Sequence, residues 1–131
     1  VARLLLVEDD RDNRRLLQAM LVKLGHAVDA VPDGETALRL LGADGDGGPA
    51  GEPPFDLVLL DVRLPGIGGL EVVQRLRAAG LAGLPVVAVT AQALPGDREK
   101  CLDAGCDGYL AKPVTLEMLE QELARRLRAS Q

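Results

Sequence analysis

The sequence predicts a parallel α/β fold made of five strand–helix units in a single domain. Three observations carry that prediction. Short runs rich in Val and Leu, at residues 4–7, 55–60 and 85–90, alternate with segments of helical spacing, which is how a sheet covered on both faces reads. Two lesser runs, 27–31 and 108–111, bring the strands to five. At 131 residues, 47% of them apolar, the chain is one domain long and can bury a core.

The elements follow in order. After the strand at 4–7, the segment 12–24 places Leu16, Leu17, Met20, Leu21 and Leu24 on one helical face, with Asp12 as its cap and Gly25 as its stop. A weaker strand at 27–31 precedes a short helix at 33–41. The stretch 42–54 holds five of the 15 glycines and three of the eight prolines, so it reads as a flexible loop within residues 1–131 rather than a domain boundary. Strand three, at 55–60, leads to a helix at 69–79 with Leu70, Val73 and Leu76 turned inward. Strand four, at 85–90, leads to a helix at 95–104 stopped by Gly105. Strand five is 108–111, and Thr115 caps a last helix whose buried stripe is Leu116, Leu119, Leu123 and Leu127.

Charge narrows the function. Fifteen basic against 20 acidic residues give a net charge of −5, so a phosphate-backbone binder, which needs a basic face, is disfavoured and no nucleic acid is expected as a partner. No apolar run approaches the roughly 20 residues that cross a bilayer, so no membrane insertion is expected. Cys101 and Cys106 lack the paired spacing of zinc sites and are expected as reduced, half-buried thiols in a cytoplasmic protein. His26, the one histidine, follows a helix-ending glycine and is expected at or near the surface.

In a parallel α/β sheet, ligands bind beyond the carboxyl ends of the strands. Strand one runs into Glu8-Asp9-Asp10, strand three into Asp61, strand four ends in Thr90, and strand five runs into Lys112-Pro113. Acids, a hydroxyl and an ammonium therefore converge from distant parts of the chain. Clustered carboxylates raise one another's pKa unless a cation is present, and hard oxygen ligands suit Mg²⁺, which keeps open positions for phosphate oxygens. Asp61, held at the tip of an apolar strand and followed by the turn Leu64-Pro65-Gly66, is a candidate nucleophile for a phosphoryl group. Lys112, one of only three lysines beside twelve arginines, is a compact charge suited to pair with it.

These residues resemble a response-regulator receiver domain, the phosphoacceptor module of two-component signalling. The resemblance covers the whole chain and rests on Leu-Leu-Val-Glu-Asp-Asp at 5–10, Leu-Leu-Asp-Val-Arg-Leu-Pro-Gly at 59–66, Val-Thr-Ala at 89–91 and Gly-Tyr-Leu-Ala-Lys-Pro at 108–113. It implies a flavodoxin-like three-layer sandwich with five strands in order 2-1-3-4-5. It also implies that Asp61 is the phosphorylated residue, in a Mg²⁺-dependent reaction for which Mn²⁺ can substitute. Glu8 and Asp9 would be the acidic pair, with Asp9, Asp61 and the Arg63 backbone carbonyl as metal ligands. Thr90 would bind a phosphoryl oxygen and Tyr109 would be the switch aromatic that follows Thr90. Lys112 would contact the phosphoryl group, with a cis peptide before Pro113.

The stretch 90–101 is similar to receivers of hybrid sensor histidine kinases and of single-domain regulators. The expected donor is thus a histidine kinase or a histidine phosphotransfer domain, and a downstream partner would dock on the face of helix four, strand five and helix five. Such a domain catalyses its own phosphotransfer and slow dephosphorylation but is mainly a switch. Two departures stand out: Gly68 occupies a position where the family commonly carries a polar residue, and the 42–54 loop is longer than usual. Three rival readings are weaker. A haloacid-dehalogenase-type hydrolase would want an Asp two residues after its nucleophile, where Arg63 stands. A flavodoxin needs a phosphate loop where Glu8, Asp9 and Asp10 would repel it. A degenerate receiver used only for binding would have lost site residues that are all present.

Overall fold

The computed structural model describes residues 2–42, 55–81, 83–91 and 95–129. Five strands and five helices alternate as β1 (Arg3–Val7), α1 (Arg11–Lys23), β2 (Ala27–Val31), α2 (Gly34–Leu40), β3 (Leu57–Asp61), α3 (Gly69–Ala78), β4 (Val86–Thr90), α4 (Asp97–Ala104), β5 (Gly108–Ala111) and α5 (Leu116–Ala129). All strand pairs are parallel and the order is β2-β1-β3-β4-β5. The expected flavodoxin-like sandwich is thus the observed one. Strand order reverses between β1 and β3, so a crevice opens at their carboxyl ends. The predicted loop falls almost wholly at 43–54, outside the described residues.

Two separate cores cover the two faces of the sheet. On one, Leu4, Leu6, Leu57, Leu59, Val87, Val89 and Leu110 pack against Leu17 and Leu21 of α1 and Leu119 and Leu123 of α5. On the other, Leu5, Val7, Val58, Leu60, Val86 and Ala88 pack against α2, α3 and Cys101 of α4. Period-two alternation does the sorting, because successive strand residues point to opposite faces.

Several helix details differ from expectation. Asp10, not Asp12, caps α1: its carboxylate accepts from the Asn13 N–H at 3.0 Å, and Asp12 lies in the first turn. β1 ends at Val7 as expected, but only Glu8 and Asp9 separate it from the cap, so the helix begins at Arg11. Leu16, assigned to the buried face of α1, is 58% exposed, because the helix turns Leu17 and Leu21, with Met20 and Leu24 beside them, toward the sheet instead. In α3, Val72 is buried and Leu70 only half-buried. The fourth helix begins at Asp97, since Gly96 sits in the left-handed region at φ 88° and breaks the helix after Pro95. Both cysteines are buried rather than half-buried.

Helix stops are as read. After α4, Gly105 at φ 115° donates to the Leu102 carbonyl and Cys106 donates to the Cys101 carbonyl, both at 3.0 Å. This is a Schellman ending, whose usual apolar contact is supplied by the Cys101–Cys106 pair. α1 and α3 close the same way at Gly25 and Gly80. Arg77 ties this end of the molecule together. Its guanidinium donates to the carbonyls of Leu81, Leu84 and Gly105 and to the Asp107 carboxylate.

Candidate functional site

The alternation that sorts the cores also builds the site. Rows that are apolar on the α1 and α5 face turn charged at one level: Leu4 and Leu6 lead to Glu8, Leu57 and Leu59 to Asp61, and Leu110 to Lys112. Glu8 is 1% exposed and Asp61 is 7% exposed, so each carboxylate needs partners where it stands. They have them. Lys112 Nζ donates to Glu8 Oε1 at 2.8 Å and to Asp61 Oδ2 at 3.1 Å. The second oxygen of each accepts a backbone N–H, Asp10 onto Glu8 Oε2 at 3.1 Å and Arg63 onto Asp61 Oδ1 at 2.9 Å.

Carboxylate oxygens of Glu8, Asp9 and Asp61 lie within 4.8 Å of one another, with Asp9 exposed at the mouth. Burial pushes the Glu8 carboxyl up to about 7, against the lowering effect of the Lys112 ammonium and the Asp10 N–H, and the Asp61 carboxylate adds to the rise. Burial lowers the Lys112 ammonium, but its hydrogen bonds to Glu8 and Asp61 outweigh that and leave it above its ordinary value. A cluster this acid-rich, whose single bridging charge is one ammonium, has the donor chemistry of a hard divalent cation site. The residues present fit Mg²⁺.

Other predicted residues stand nearby in defined places. Thr90, buried, ends β4 and pairs in register with Ala111, while Asp61 pairs with Val89. Thr90 and Tyr109 therefore follow the opposite, α4-side rows, and half-buried Tyr109 packs against that core. The Tyr109 hydroxyl is raised, first by burial and then by the acids of α4, Asp97 before Glu99. The Lys112–Pro113 peptide is cis. Beside Lys112, a largely apolar cavity of about 320 Å³ is lined by Asn13, Leu16, Leu17, Lys112, Pro113 and Val114.

Gly69 deserves its place by contact. A Cβ on it would overlap the Asp61 carbonyl and the Val62 Cα, so only glycine lets α3 start this close to the strand that carries Asp61. Gly68, by contrast, is the N-cap of α3 with no side-chain cap. Arg14, on α1, was not singled out from the sequence. A signal existed: a cation in the first turn of a helix opposes the macrodipole and calls for a local acceptor.

Comparison with known proteins places this arrangement. The family model described as the response regulator receiver domain matches residues 4–124. The chain belongs to the response-regulator receiver family. This receiver domain is 44% identical over 128 residues to the transcriptional regulatory protein TctD of Salmonella typhimurium, a match covering 98% of this chain and 53% of that protein. It is 42% identical over 121 residues to the sensor histidine kinase RcsC of the same species, covering 92% of this chain and 12% of that protein. The receiver domain thus spans about half of one relative and about an eighth of the other. Among solved structures, the receiver domain of a Pseudomonas aeruginosa sensor histidine kinase, with magnesium in its active-site cleft, is 39% identical with a TM-score of 0.80, covering 97% of this chain and 98% of that one. Among the described residues, no helix is long and apolar enough to cross a membrane.

Proposed function

We propose that this receiver domain is the phosphoacceptor switch of a two-component phosphorelay, with Asp61 taking a phosphoryl group from a phosphohistidine on a histidine kinase or a histidine phosphotransfer domain. The observation that carries the reading is the Lys112 ammonium, 3.1 Å from a buried Asp61 at a strand tip with two more carboxylates beside it. An Asp61 oxygen attacks phosphorus, a P–O bond forms, and the P–N bond breaks with its electron pair returning to the imidazole nitrogen. Asp9, Asp61 and the Arg63 carbonyl would hold Mg²⁺, with Glu8 behind them. Bound there, the cation offsets charge on the transferring group, which is most of what this transfer requires. The Lys112 ammonium, already beside Asp61, would offset the rest.

Thr90 would then bind a phosphoryl oxygen, and Tyr109 would follow it inward. That shift would re-set the face of α4, β5 and α5, where a downstream partner docks, by biasing a two-state equilibrium. The reading includes a cytoplasmic location and a domain that serves a larger protein or a separate output chain. Incubation with acetyl phosphate and Mg²⁺, followed by intact mass, tests it. A single phosphoryl adduct absent with EDTA and absent from Asp61→Asn is expected. An adduct of equal yield in Asp61→Asn would overturn the assignment.

A further inference from the structure

Between β1 and α1 the chain makes its turn through Glu8, Asp9 and Asp10, and each backbone polar group there needs a partner. The Glu8 N–H donates to the Val31 carbonyl at 3.0 Å, extending the sheet by one bond. The Asp10 N–H donates to Glu8 Oε2, and the Asp10 carbonyl accepts the Arg14 N–H at 2.8 Å, the first bond of the helix. Of the three carbonyls here, that leaves those of Glu8 and Asp9, for which neither strand nor helix supplies a donor. Both accept from one nitrogen of the Arg14 side chain, at 3.0 Å and 3.3 Å.

Helix geometry explains the reach. A side chain in the first turns leans back toward the helix N-terminus, so Arg14 folds under the loop that precedes it. It is half-buried there, whereas Arg11 and Arg15 beside it are exposed. We infer that Arg14 is a positioning residue for the cation site, holding the two carbonyls so that the Glu8 and Asp9 carboxylates stay aimed at Asp61. The inference rests on the phosphoacceptor reading of that site.

Charge and position make opposite predictions here. Acting by charge alone, a guanidinium near the acids repels a divalent cation, and its removal would tighten Mg²⁺ binding. Acting by position, its removal frees the loop and weakens binding, as loss of groups that orient metal ligands does.

The experiment is calorimetric titration of Mg²⁺ into the whole chain for wild type, Arg14→Met, Arg14→Lys and Arg15→Met. Arg14→Met is expected to bind about tenfold more weakly. Arg14→Lys, whose ammonium carries three donors, is expected to recover part of that loss. Arg15→Met removes the same charge one residue away and is expected to bind as tightly as wild type, or slightly more so. Hydrogen exchange at the Asp10 amide without metal is the second readout, expected faster in Arg14→Met and unchanged in Arg15→Met. Binding by Arg14→Met that equals or exceeds wild type would overturn the inference, as would an equal loss in Arg15→Met. If Arg14→Met does not fold, Arg14→Lys decides on the same two readouts, and wild-type values for both would overturn it. Wild type that binds no Mg²⁺ would instead overturn the phosphoacceptor reading, while Asp10 exchange would still report whether Arg14 holds the loop.

Discussion

Lys112 and Glu8 stand 104 positions apart in the chain and 2.8 Å apart in the fold. The ammonium is the one cation, among the described residues, within the hydrogen bonds of a buried carboxylate, and it serves Asp61 with the same nitrogen. Metal-free protein therefore leans on Lys112 in a way that metal-bound protein does not. Lys112→Ala is expected to lower metal-free stability by about 1–3 kcal/mol, because two buried acceptors lose a charged donor. Saturating Mg²⁺ should return most of that loss while phosphoryl acceptance stays impaired. Urea denaturation with and without Mg²⁺ measures the first effect, and intact mass after acetyl phosphate measures the second.

Gly68 and Gly69 are neighbours with opposite expected responses. At Gly68 the backbone is extended, at φ −71° and ψ 164°, and an added Cβ meets nothing closer than the Val62 carbonyl at 3.9 Å. Gly68→Ser should supply the missing cap and restrict the unfolded chain, a gain of about 0.5 kcal/mol. Gly69→Ala should cost about 1–3 kcal/mol through overpacking and should also slow phosphorylation, because the atom it strikes belongs to Asp61. Equal urea midpoints for the two variants would contradict this contrast.

Arg77 holds three carbonyls and one carboxylate at the far end of the sheet from the site. Arg77→Ala is expected to destabilise by about 2–3 kcal/mol, since charged hydrogen bonds to three half-buried carbonyls, with a further one to the exposed Asp107 carboxylate, are lost together. Arg77→Lys should recover less than half, because an ammonium does not reproduce the planar fork. Mg²⁺ affinity should be unchanged in both, which separates this fastening from the site.

Cys106 gives a pH dependence. Burial pushes its thiol up from 9.0 to about 12, with the neighbouring Cys101 adding to the rise. The folded state thus keeps a proton that the unfolded chain releases. Its contribution to stability is whole below pH 9 and is lost as the pH climbs from 9 toward 12. The urea midpoint should fall over that range, and fall less steeply in Cys106→Ala. A thiol reagent such as dithionitrobenzoate at pH 8 should label native protein far more slowly than unfolded protein.

Much of the site was legible because each of its residues ends an apolar run. Glu8 follows Leu4–Val7 in one row, Asp61 follows Leu57 and Leu59, and Lys112 follows Leu110, so a change from apolar to charged marks the carboxyl end of each strand. The α1 cap was misplaced because Asp10 and Asp12 are both good caps, and local preference alone cannot choose between them. The roles of Arg14 and Arg77 were hidden for a different reason. Their acceptors are backbone carbonyls, which every residue carries, so no side-chain pattern announces them. The bare N-cap at Gly68 was legible, since the residue type alone removes the cap.

The two separate cores have a further consequence. Glu8, Asp61 and Lys112 continue the rows that pack on α1 and α5, whereas Thr90 and Tyr109 continue those that pack beneath α2, α3 and α4. The sheet is a partition: under the proposed switch, the residues that would accept the phosphoryl group stand on the α1 and α5 side, and the residues that would respond stand on the α4 side. A change of residues beneath α4 should repack one core while the side chains of the other, across the sheet, keep their contacts. If the proposed switch holds, the α4 part of the docking face can be rewritten for a new downstream partner without touching the side chains that would accept the phosphoryl group.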